Sequence, residues 1–354
     1  MKPDISIIMS VYNGEEYLRE AIESVRKQTF ENWELVIIND CSTDSTGEIL
    51  ADFSLEDERI KVHTNEVNLK LPTSLNKAIS LCSGTYIARM DADDICLSDR
   101  FEKQYQFMEE HPEVALSSCR FLTVKNGVYA SGGAGGRCDF EAIKAMLLVT
   151  NPILHPGVIA KAEVMKQFQY DTNLTCTEDL ELWTRMVMDH QKIHILPEYL
   201  LIYRLHDKQI TSTTLERQHT EVLKIQQKYY ESLFLQMDEE MQKFYISGIY
   251  FRERVNIDKF LEFAKWVKKV NTKNFDRNSI NYALLEILAE YKRFGVAKSD
   301  VMKAMLTFNP WFLLKEIIRR KQSAKCDIRK CMKVAKQIGL RQTSGTKEFP
   351  IFEK

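Results

Sequence analysis

Short apolar runs alternate with amphipathic stretches through the first 210 residues of the chain. The first run, residues 5–9, is short and rich in isoleucine, which is typical of a buried strand. In the stretch after it, Leu18, Ala21 and Ile22 recur at the spacing of one helix face. We predict strands over residues 5–9, 33–38, 60–63, 86–88, 114–122 and 200–206, with a turn into a strand over 155–159. We predict helices over residues 15–28, 47–53, 73–81, 100–110, 140–148 and 178–188.

This alternation predicts an α/β fold with a Rossmann-like, mostly parallel sheet and helices on both faces. In such sheets, ligands bind beyond the carboxyl ends of the strands. Three polar clusters, residues 10–13, 39–44 and 91–94, each follow a predicted strand. We therefore expect the functional site at the edge of the sheet where these clusters meet.

The character of the chain changes near residue 214, because strand patterns end there and helical patterns take over. The predicted helices cover residues 215–237, 239–255, 258–270, 278–294, 298–308 and 311–338. We therefore divide the chain into an α/β domain, residues 1–212, and an all-helical C-terminal domain, residues 213–354.

The composition is that of a soluble globular protein, with 44% hydrophobic and 28% charged residues. The net charge of −1 gives no basic field for binding nucleic acid. Eight scattered cysteines without a C-x-x-C pair argue against zinc sites and a disulfide framework, so we expect reduced thiols and a cytoplasmic location. There is no signal-peptide pattern, and no apolar run reaches membrane-spanning length.

Three carboxylates, Asp91, Asp93 and Asp94, follow the apolar run that ends at residue 88. Carboxylates at the end of a buried strand repel one another unless a cation or hydrogen-bond donors lie among them. Such oxygen ligands suit Mg²⁺ or Mn²⁺ held together with substrate phosphates. The alternative is a polar loop before a helix that begins after Ser98 or Asp99.

Six segments in this order resemble the inverting glycosyltransferases of family 2, which have the GT-A fold. They are residues 7–13 (IIMSVYN), 37–44 (IINDCSTD), 91–94 (DADD), 155–157 (HPG), 178–185 (EDLELWTR) and 203–206 (YRLH). The resemblance covers the first 210 residues and not the last 140. It implies a metal-dependent enzyme that moves a sugar from a nucleotide diphosphate sugar to a hydroxyl of a glycan or lipid-linked acceptor, as in bacterial enzymes that build surface polysaccharides.

The same resemblance implies the donor contacts. A nucleotide clamp would be formed by Val11, Tyr12, Asn13, Asp40, Asn68 and Lys70. Asp40 would accept the imide N–H of uracil, which favours UDP; its alternative role is that of a turn residue. Lys70 departs from the small residue or glycine that relatives usually have. Asp91 would touch the ribose or the donor sugar. Asn76 would face the site or lie on a polar helix face, and Arg204 would contact the phosphates or pair with an acidic neighbour.

The resemblance also implies the ligands of Mn²⁺ or Mg²⁺. Asp93 would bind the ion, whereas Asp94 would order the following turn. His206 would be a second metal ligand or a pyrophosphate contact, and its alternative role is purely structural.

The candidate general base is Asp179, with Glu178 as its substitute. At a helix start, exposed N–H groups would lower the pKa of Asp179, whereas crowding by other carboxylates would raise it. The alternative is that residues 177–179 are only an N-terminal capping sequence. His155 is assigned to the acceptor side of the site.

Residues 309–343 contain ten Lys/Arg against two Asp/Glu, together with several aromatic and aliphatic residues. Such a helix can lie on an anionic membrane surface, which suits a lipid-linked acceptor at the inner face of the plasma membrane. The alternatives are that this segment packs on the catalytic domain or on a second copy of the chain.

Other function classes fit the sequence less well. A dehydrogenase would need G-x-G-x-x-G after the first strand, and a nucleotidyltransferase would favour a Gly-rich, Lys/Arg-bearing loop there; neither is present. A non-catalytic module that binds a sugar nucleotide or a partner is the main alternative. It predicts a broken base or metal motif, yet Asp93 and Asp179 are both present.

Overall fold

The computed structural model describes residues 2–125, 128–132, 139–206, 215–232, 238–250, 255–270, 275–291 and 296–305, and residues 308, 311–313, 315–316, 318 and 341–342. The strands are β1 (Ile5–Val11), β2 (Trp33–Asn39), β3 (Ile60–Thr64), β4 (Tyr86–Arg89), β5 (Ile95–Cys96), β6 (Val114–Lys125), β7 (Val128–Gly132), β8 (Ile159–Lys161), β9 (Lys192–Leu205) and β10 (Arg341–Gln342). The helices before residue 206 are α1 (Leu18–Arg26), α2 (Thr46–Glu56), α3 (Leu71–Leu81), α4 (Arg100–Glu110), α5 (Phe140–Met146), α6 (Ala162–Phe168) and α7 (Glu178–Met188), with a 3₁₀ turn at His155–Gly157. The bounds of α4 and α7 agree with the prediction.

One sheet joins the ten strands of the described residues, and its first half is parallel. Strand β1 pairs in parallel with β2 and β4, and β2 pairs in parallel with β3. Beyond β4 the sheet is mixed, because β8 runs antiparallel to both β4 and β6, whereas β6 and β9 are parallel. Strand β5 pairs with β9, which brings the end of β9 beside the segment that follows β4.

The parallel half is buried on both faces, which explains its continuous apolar strands. Ile7 and Ile37 contribute to one hydrophobic cluster, whereas Ile8 and Ile38 contribute to a second cluster on the opposite face. Successive residues of a strand point to opposite faces, so both faces of β1 and β2 need apolar side chains. The sheet is thereby fixed from both sides, and the carboxyl ends of its strands form a stable edge.

Strands β5 and β7 were not predicted, and β9 and β10 differ from the prediction. Strand β9 begins at Lys192, eight residues before the predicted start at 200. The prediction began too late because polar residues such as His194 and Glu198 interrupt the apolar pattern. Its pairing with β6 holds this segment extended. Strand β10 lies beyond residue 214, where we predicted only helices, and it pairs in parallel with β7.

The C-terminal region is helical over most of its described length. Its helices are α8 (Leu215–Ser232), α9 (Glu239–Phe244), α10 (Ile257–Val270), α11 (Arg277–Tyr291) and α12 (Lys298–Met305). The predicted helix over 239–255 is confirmed over residues 239–250, where α9 continues into a π-helical turn, Tyr245–Tyr250. In this turn a Cβ on Gly248 would lie 2.3 Å from Cε2 of Phe244, so a side chain there would displace the Phe244 ring.

The hydrophobic core continues from the sheet into the C-terminal helices. Trp183 of α7 and Ile143 of α5 belong to the same cluster as Tyr229, Phe260 and Leu288. The boundary at residue 212 stays a prediction. Most of the basic segment 309–343 lies outside the described residues. Across the described residues, none of the helices combines the length and apolar character needed to cross a bilayer.

Candidate active site

The loops that follow β1 and β2 are joined by hydrogen bonds. The N–H of Asn13 donates to Ser42 Oγ (3.0 Å), and the N–H of Thr43 donates to Asn13 Oδ1 (2.8 Å). Asn13 has φ 52°, a left-handed conformation that Asn tolerates better than most residues. Val11 is buried at the end of β1, whereas Tyr12 exposes 52% of its surface. The two loops therefore form one wall that leaves Tyr12 accessible to a ligand.

Asp40 anchors the loop that precedes α3. Its Oδ1 accepts hydrogen bonds from Asn65 Nδ2 and Leu69 N (both 2.8 Å), and its Oδ2 accepts one from Lys70 N (2.9 Å). Asn68 Oδ1 also lies 3.1 Å from Lys70 N. Lys70 has φ 70° and ψ 163°, a region occupied almost only by glycine, which gives a physical reason for the small residue or glycine expected there. The nucleotide contacts of this loop stay predictions.

An acidic cluster, which we define as Asp91, Asp93 and Asp94, lies between β4 and β5. One oxygen of each carboxylate lies within 4.8 Å of the others. Arg89 Nη1 donates to Asp91 Oδ2 (2.7 Å). Burial raises the pKa of Asp91 to about 6, although the positive charge of Arg89 acts to lower it. The negative charge of Asp93 raises it further. Burial, with the charges of Asp93 and Asp91, holds the pKa of Asp94 well above its usual range.

The donor set of the acidic cluster fits a divalent cation. Asp94 Oδ1 accepts a hydrogen bond from Arg204 N (3.0 Å), whereas its Oδ2 is buried without a hydrogen-bond partner. Leaving such an oxygen unsatisfied is costly, and hard oxygen ligands are those that Mg²⁺ and Mn²⁺ prefer. Asp94, which we predicted to order the following turn, instead bonds to β9 and joins the cluster.

The end of β9 supplies His206 and Arg204. His206 Nε2 lies 2.9 Å from Asp93 Oδ2, and its ring centroid lies 5.2 Å from that of Tyr17. Arg204 forms an ion pair with Glu20, and its guanidinium lies 4.9 Å from the centroid of the Tyr17 ring. Arg204 is therefore paired with an acidic neighbour, one of its two predicted roles. A metal contact of His206 stays a prediction.

Asp179 lies in the first turn of α7. Its Oδ2 accepts a hydrogen bond from Asn151 Nδ2 (2.7 Å), and its Oδ1 accepts one from Leu180 N (2.6 Å). Burial raises the pKa of Asp179, although the Leu180 N–H and the charge of Arg89 act in the opposite direction. We predicted that the helix start would lower this pKa and that neighbouring carboxylates would raise it. In the structure, burial also raises the pKa, and its effect exceeds that of the N–H groups. The raised pKa favours proton uptake closer to neutral pH.

Glu178, the substitute base, is only 5% exposed, and its Oε2 has no hydrogen-bond partner. Burial and the charge of Asp179 raise its pKa to about 7. Thr177, just before α7, makes no capping bond and donates instead to Glu221 Oε2 of α8 (2.7 Å). The alternative interpretation of residues 177–179 as a capping sequence is therefore wrong for Thr177.

His155 opens the 3₁₀ turn behind the two acids. Its Nε2 lies 2.7 Å from the hydroxyl of Tyr170, and its ring packs edge-on against Trp183. Burial and the charge of Arg89 hold the pKa of His155 well below its usual range, so the imidazole is neutral. The 3.9 Å approach of its Nδ1 to Glu178 Oε1 is therefore not an ion pair. An acceptor contact of His155 stays a prediction.

Comparison with known proteins identifies the family. The profile described as "Glycosyl transferase family 2" matches residues 6–159. An uncharacterized glycosyltransferase of Methanocaldococcus jannaschii is 30% identical over 253 residues, which cover 71% of this chain and 84% of the relative. The chain belongs to glycosyl transferase family 2. The predicted family is thus confirmed, and the chain is a glycosyltransferase.

Further similar proteins support both the family and the fold. A putative teichuronic acid biosynthesis glycosyltransferase of Bacillus subtilis, TuaG, is 31% identical over 60% of this glycosyltransferase and 82% of its own length. An O-antigen biosynthesis glycosyltransferase of Escherichia coli, WbnJ, is 32% identical over 60% and 83%. The crystal structure of S. aureus TarS in complex with UDP aligns over 83% of this chain and 93% of that one, with a TM-score of 0.54 and 18% identity. The predicted GT-A fold is confirmed.

Three side chains of this family 2 glycosyltransferase that act on Asp91, Asp179 or His155 were not predicted. Arg89 is buried, and its charge acts on Asp91, Asp179 and His155. The sequence feature that could have indicated a role for Arg89 is its position within an otherwise apolar strand. Asn151, which bonds to Asp179, lies in a segment with no pattern. Tyr170, which bonds to His155, lies in another such segment.

Asn76 differs from its prediction. Its Nδ2 donates to Tyr170 O (2.9 Å), and its Oδ1 accepts from Tyr170 N (2.8 Å). Both ends of the amide are therefore bonded to one backbone unit, whereas we predicted that Asn76 faces the donor or lies on a polar helix face. Asn76 fixes Tyr170, which in turn contacts His155.

Proposed function

We propose that this glycosyltransferase is a metal-dependent inverting enzyme that transfers a sugar from a UDP-sugar to a hydroxyl group of a glycan or lipid-linked acceptor. One observation carries the proposal: carboxylate oxygens of the acidic cluster lie within 4.8 Å of one another, and a separate carboxylate, Asp179, is held in the first turn of α7 by Asn151 and the Leu180 N–H. The buried Arg89 acts on both Asp91 and Asp179. In-line displacement needs a base on one side of the sugar and charge neutralisation on the other.

Asp179 is the general base in this proposal. It takes the proton of the acceptor hydroxyl, whose oxygen forms a new bond to C1 of the sugar. The bond from C1 to the phosphate oxygen breaks, and its electron pair leaves with the nucleotide diphosphate. One such displacement inverts the anomeric centre. Each oxygen of Asp179 accepts one protein hydrogen bond, which leaves a lone pair on each for the acceptor.

The acidic cluster would hold Mn²⁺ or Mg²⁺. When bound, the cation would neutralise the charge of the diphosphate. His206 either orients the carboxylate of Asp93, to which it is bonded, or adds a further ligand. Because burial raises the pKa of Asp91 and of Asp94, protons compete with the cation, and metal affinity should increase with pH.

Two features support UDP as the donor nucleotide. Asp40 Oδ2 accepts one hydrogen bond in the structure and can accept a second from an imide N–H. Tyr12 is exposed and follows Val11, whose carbonyl oxygen accepts a hydrogen bond from Asp40 N (2.8 Å). TarS, which shares the fold, has been solved with UDP and with UDP-GlcNAc.

The names of the relatives support a surface glycan as the product. TuaG and WbnJ are named for teichuronic acid and O-antigen biosynthesis. An acceptor carried on a lipid would place the enzyme at the inner face of the plasma membrane, with the basic segment 309–343 against anionic lipid.

The test combines nucleotide binding with turnover. Calorimetry should show that UDP binds in the presence of Mn²⁺ better than GDP or dTDP, and that EDTA abolishes the binding. Asp93→Asn should lose it as well. Asp179→Asn should bind UDP within about threefold of wild type, yet lose about 10³-fold in UDP release from UDP-GlcNAc or UDP-glucose with water as acceptor.

Asp189→Asn is the matched control, because it makes the same change at the exposed far end of α7. Full activity of Asp179→Asn would refute the base assignment. Absence of nucleotide binding by the wild-type protein would favour a non-catalytic module that binds a partner.

A further inference from the structure

Helix α8 of the C-terminal region presents one buried stripe to the catalytic half of the chain. The buried residues of this stripe are Gln218, Glu221, Val222, Ile225, Gln226, Tyr229 and Tyr230. They recur every three or four positions, which is the spacing of one helix face. Several of them are polar, and their side chains bond outside α8, to the segments that surround Asp179.

The first contact is between Glu221 and the residue before α7. Glu221 Oε2 accepts a hydrogen bond from Thr177 Oγ1 (2.7 Å), and its Oε1 accepts one from Arg217 Nε (3.0 Å). Burial alone would raise the pKa of Glu221, but the bonds from Thr177, Cys176 and Arg217 lower it, so the carboxylate is charged at neutral pH. Charge-assisted hydrogen bonds of this kind are about twice as strong as neutral ones.

The second contact is with the end of α5. Gln226 Nε2 donates to Leu147 O (2.9 Å), and the hydroxyl of Tyr230 donates to Leu148 O (2.9 Å). Carbonyl groups at the end of a helix have no partner within the helix, so these side chains satisfy otherwise unpaired acceptors. The hydroxyl of Tyr229 donates to a third carbonyl in this stretch, Lys144 O (3.0 Å).

Both contacts are made with segments that hold Asp179 in place. Thr177 is two residues before it. Asn151 is three residues after Leu148, and its Nδ2 donates to Asp179 Oδ2. The carboxylate is therefore enclosed by two segments, 147–151 and 177–180, and α8 bonds to both of them.

We propose that α8 is a positioning element for the general base, with Glu221 and Tyr230 as its positioning residues. The C-terminal region then takes part in catalysis through α8, which holds the two segments that carry and contact the base. This inference rests on the proposed function, because it takes Asp179 as the base. A displacement of about 1 Å at a reacting group can reduce turnover by about 10²-fold, so small shifts of the two segments matter.

Two substitutions and two matched controls test the proposal. Thr177→Val removes the hydroxyl that bonds to Glu221, and Tyr230→Phe removes the hydroxyl that bonds to Leu148 O. Thr184→Val removes a hydroxyl that bonds within α7 itself, and Tyr291→Phe removes one that bonds to Gly248 O inside the C-terminal region. We expect kcat for UDP release to fall about tenfold in each test variant, with the Kd for UDP unchanged, and to stay within twofold in the controls.

The pH profile gives a readout that a purely structural role would not move. The Asn151 hydrogen bond lowers the pKa of Asp179, so weakening it should shift the acid limb of kcat/KM to higher pH. Other groups act there as well: Arg89 and Asp91 from the segment around β4, Glu178 from α7, and Tyr170. None of them is altered in the test or control variants, so only the test variants should show the shift.

Amide hydrogen exchange at Leu180 provides a measurement that needs no turnover, because this N–H donates to Asp179 Oδ1. It should exchange faster in Thr177→Val and Tyr230→Phe than in either control. The proposal is overturned if the test variants keep wild-type kcat, acid limb and exchange, or if the controls change as much. Asp179→Asn in the same assay separates the two hypotheses: its activity would refute the base, whereas its inactivity beside a normal Thr177→Val would refute only the positioning role.

Discussion

At the scale of single residues, Glu178 and Asp179 are adjacent in sequence but differ in their hydrogen bonding. Asp179 accepts bonds from Asn151 and from the Leu180 N–H, both of which favour the charged carboxylate. Glu178 Oε2 accepts none and is buried. A proton shared by such a pair resides preferentially on the member with fewer hydrogen-bond donors. Glu178 is therefore the member that is protonated first, and Asp179 stays charged and ready to act as the base.

The raised pKa of Glu178 predicts a pH-dependent effect of Glu178→Gln on stability. Burial, with the charge of Asp179, raises this pKa from 4.5 to about 7, so the folded protein holds the proton more tightly than the unfolded chain. The resulting stabilisation is complete below pH 4.5 and is lost as the pH rises through about 7. The free energy of unfolding of the variant, relative to wild type, should therefore increase by up to about 3 kcal/mol between pH 4.5 and 8.

Urea unfolding of both proteins at each pH measures this difference. Glu163→Gln, at an exposed position of α6, is the control and should show a constant difference. A constant difference for Glu178→Gln as well would contradict the raised pKa.

At the scale of elements, the strands of the parallel half were predictable because both of their faces are buried, which leaves continuous apolar runs. Strand β9 was not predictable, since polar residues interrupt it and pairing with β6 decides its conformation. The site shows the same division. Asp93 and Asp179 belong to short motifs that the sequence displays. Asn151 reaches Asp179 only because the chain folds back over 28 residues, and no local pattern records that contact.

The amino ends of the strands carry another buried carboxylate, Glu34 of β2, which joins neighbouring elements. It accepts hydrogen bonds from Ser6 Oγ of β1 (2.5 Å), Lys61 Nζ of β3 (2.5 Å) and Ser83 N before β4 (2.8 Å). Burial alone would raise its pKa, but these donors outweigh burial and lower it to about 2. This carboxylate holds the parallel strands together at the end of the sheet opposite to the site.

Glu34→Gln should therefore destabilise the protein by about 3 kcal/mol at pH 7, as judged by urea unfolding. A lowered folded-state pKa contributes stability that is complete above the unfolded value of 4.5 and is lost as the pH falls towards 2. The difference in the free energy of unfolding between variant and wild type should accordingly decrease as the pH is lowered. Glu31→Gln, on the exposed turn before β2, should unfold like wild type. An equal difference in the free energy of unfolding at pH 3 and pH 7 would show that the destabilisation does not come from the loss of the Glu34 charge.

At the scale of the whole molecule, the helical region and the sheet share one core. Trp183, fully buried on α7, belongs to the same hydrophobic cluster as Phe260 and Phe263 of α10. Tyr229 and Tyr230 of α8 extend that cluster and also bond to backbone carbonyls at the end of α5. A division of the sequence near residue 212 marks a change of secondary structure, but the packing is continuous across it.

This continuity predicts that a fragment of residues 1–212 does not fold as an independent unit. Each large apolar side chain that loses its cover forfeits about 1.5–3 kcal/mol, and a folded domain has only about 5–15 kcal/mol of net stability. Exposing the faces of α5 and α7 that meet the C-terminal helices should therefore abolish cooperative thermal unfolding and produce strong binding of the dye ANS. A chain that ends at residue 342 keeps every element described above and serves as the control. Cooperative unfolding of the fragment at the full-length Tm would instead establish two independent domains and would also remove the structural basis for α8 as a positioning element.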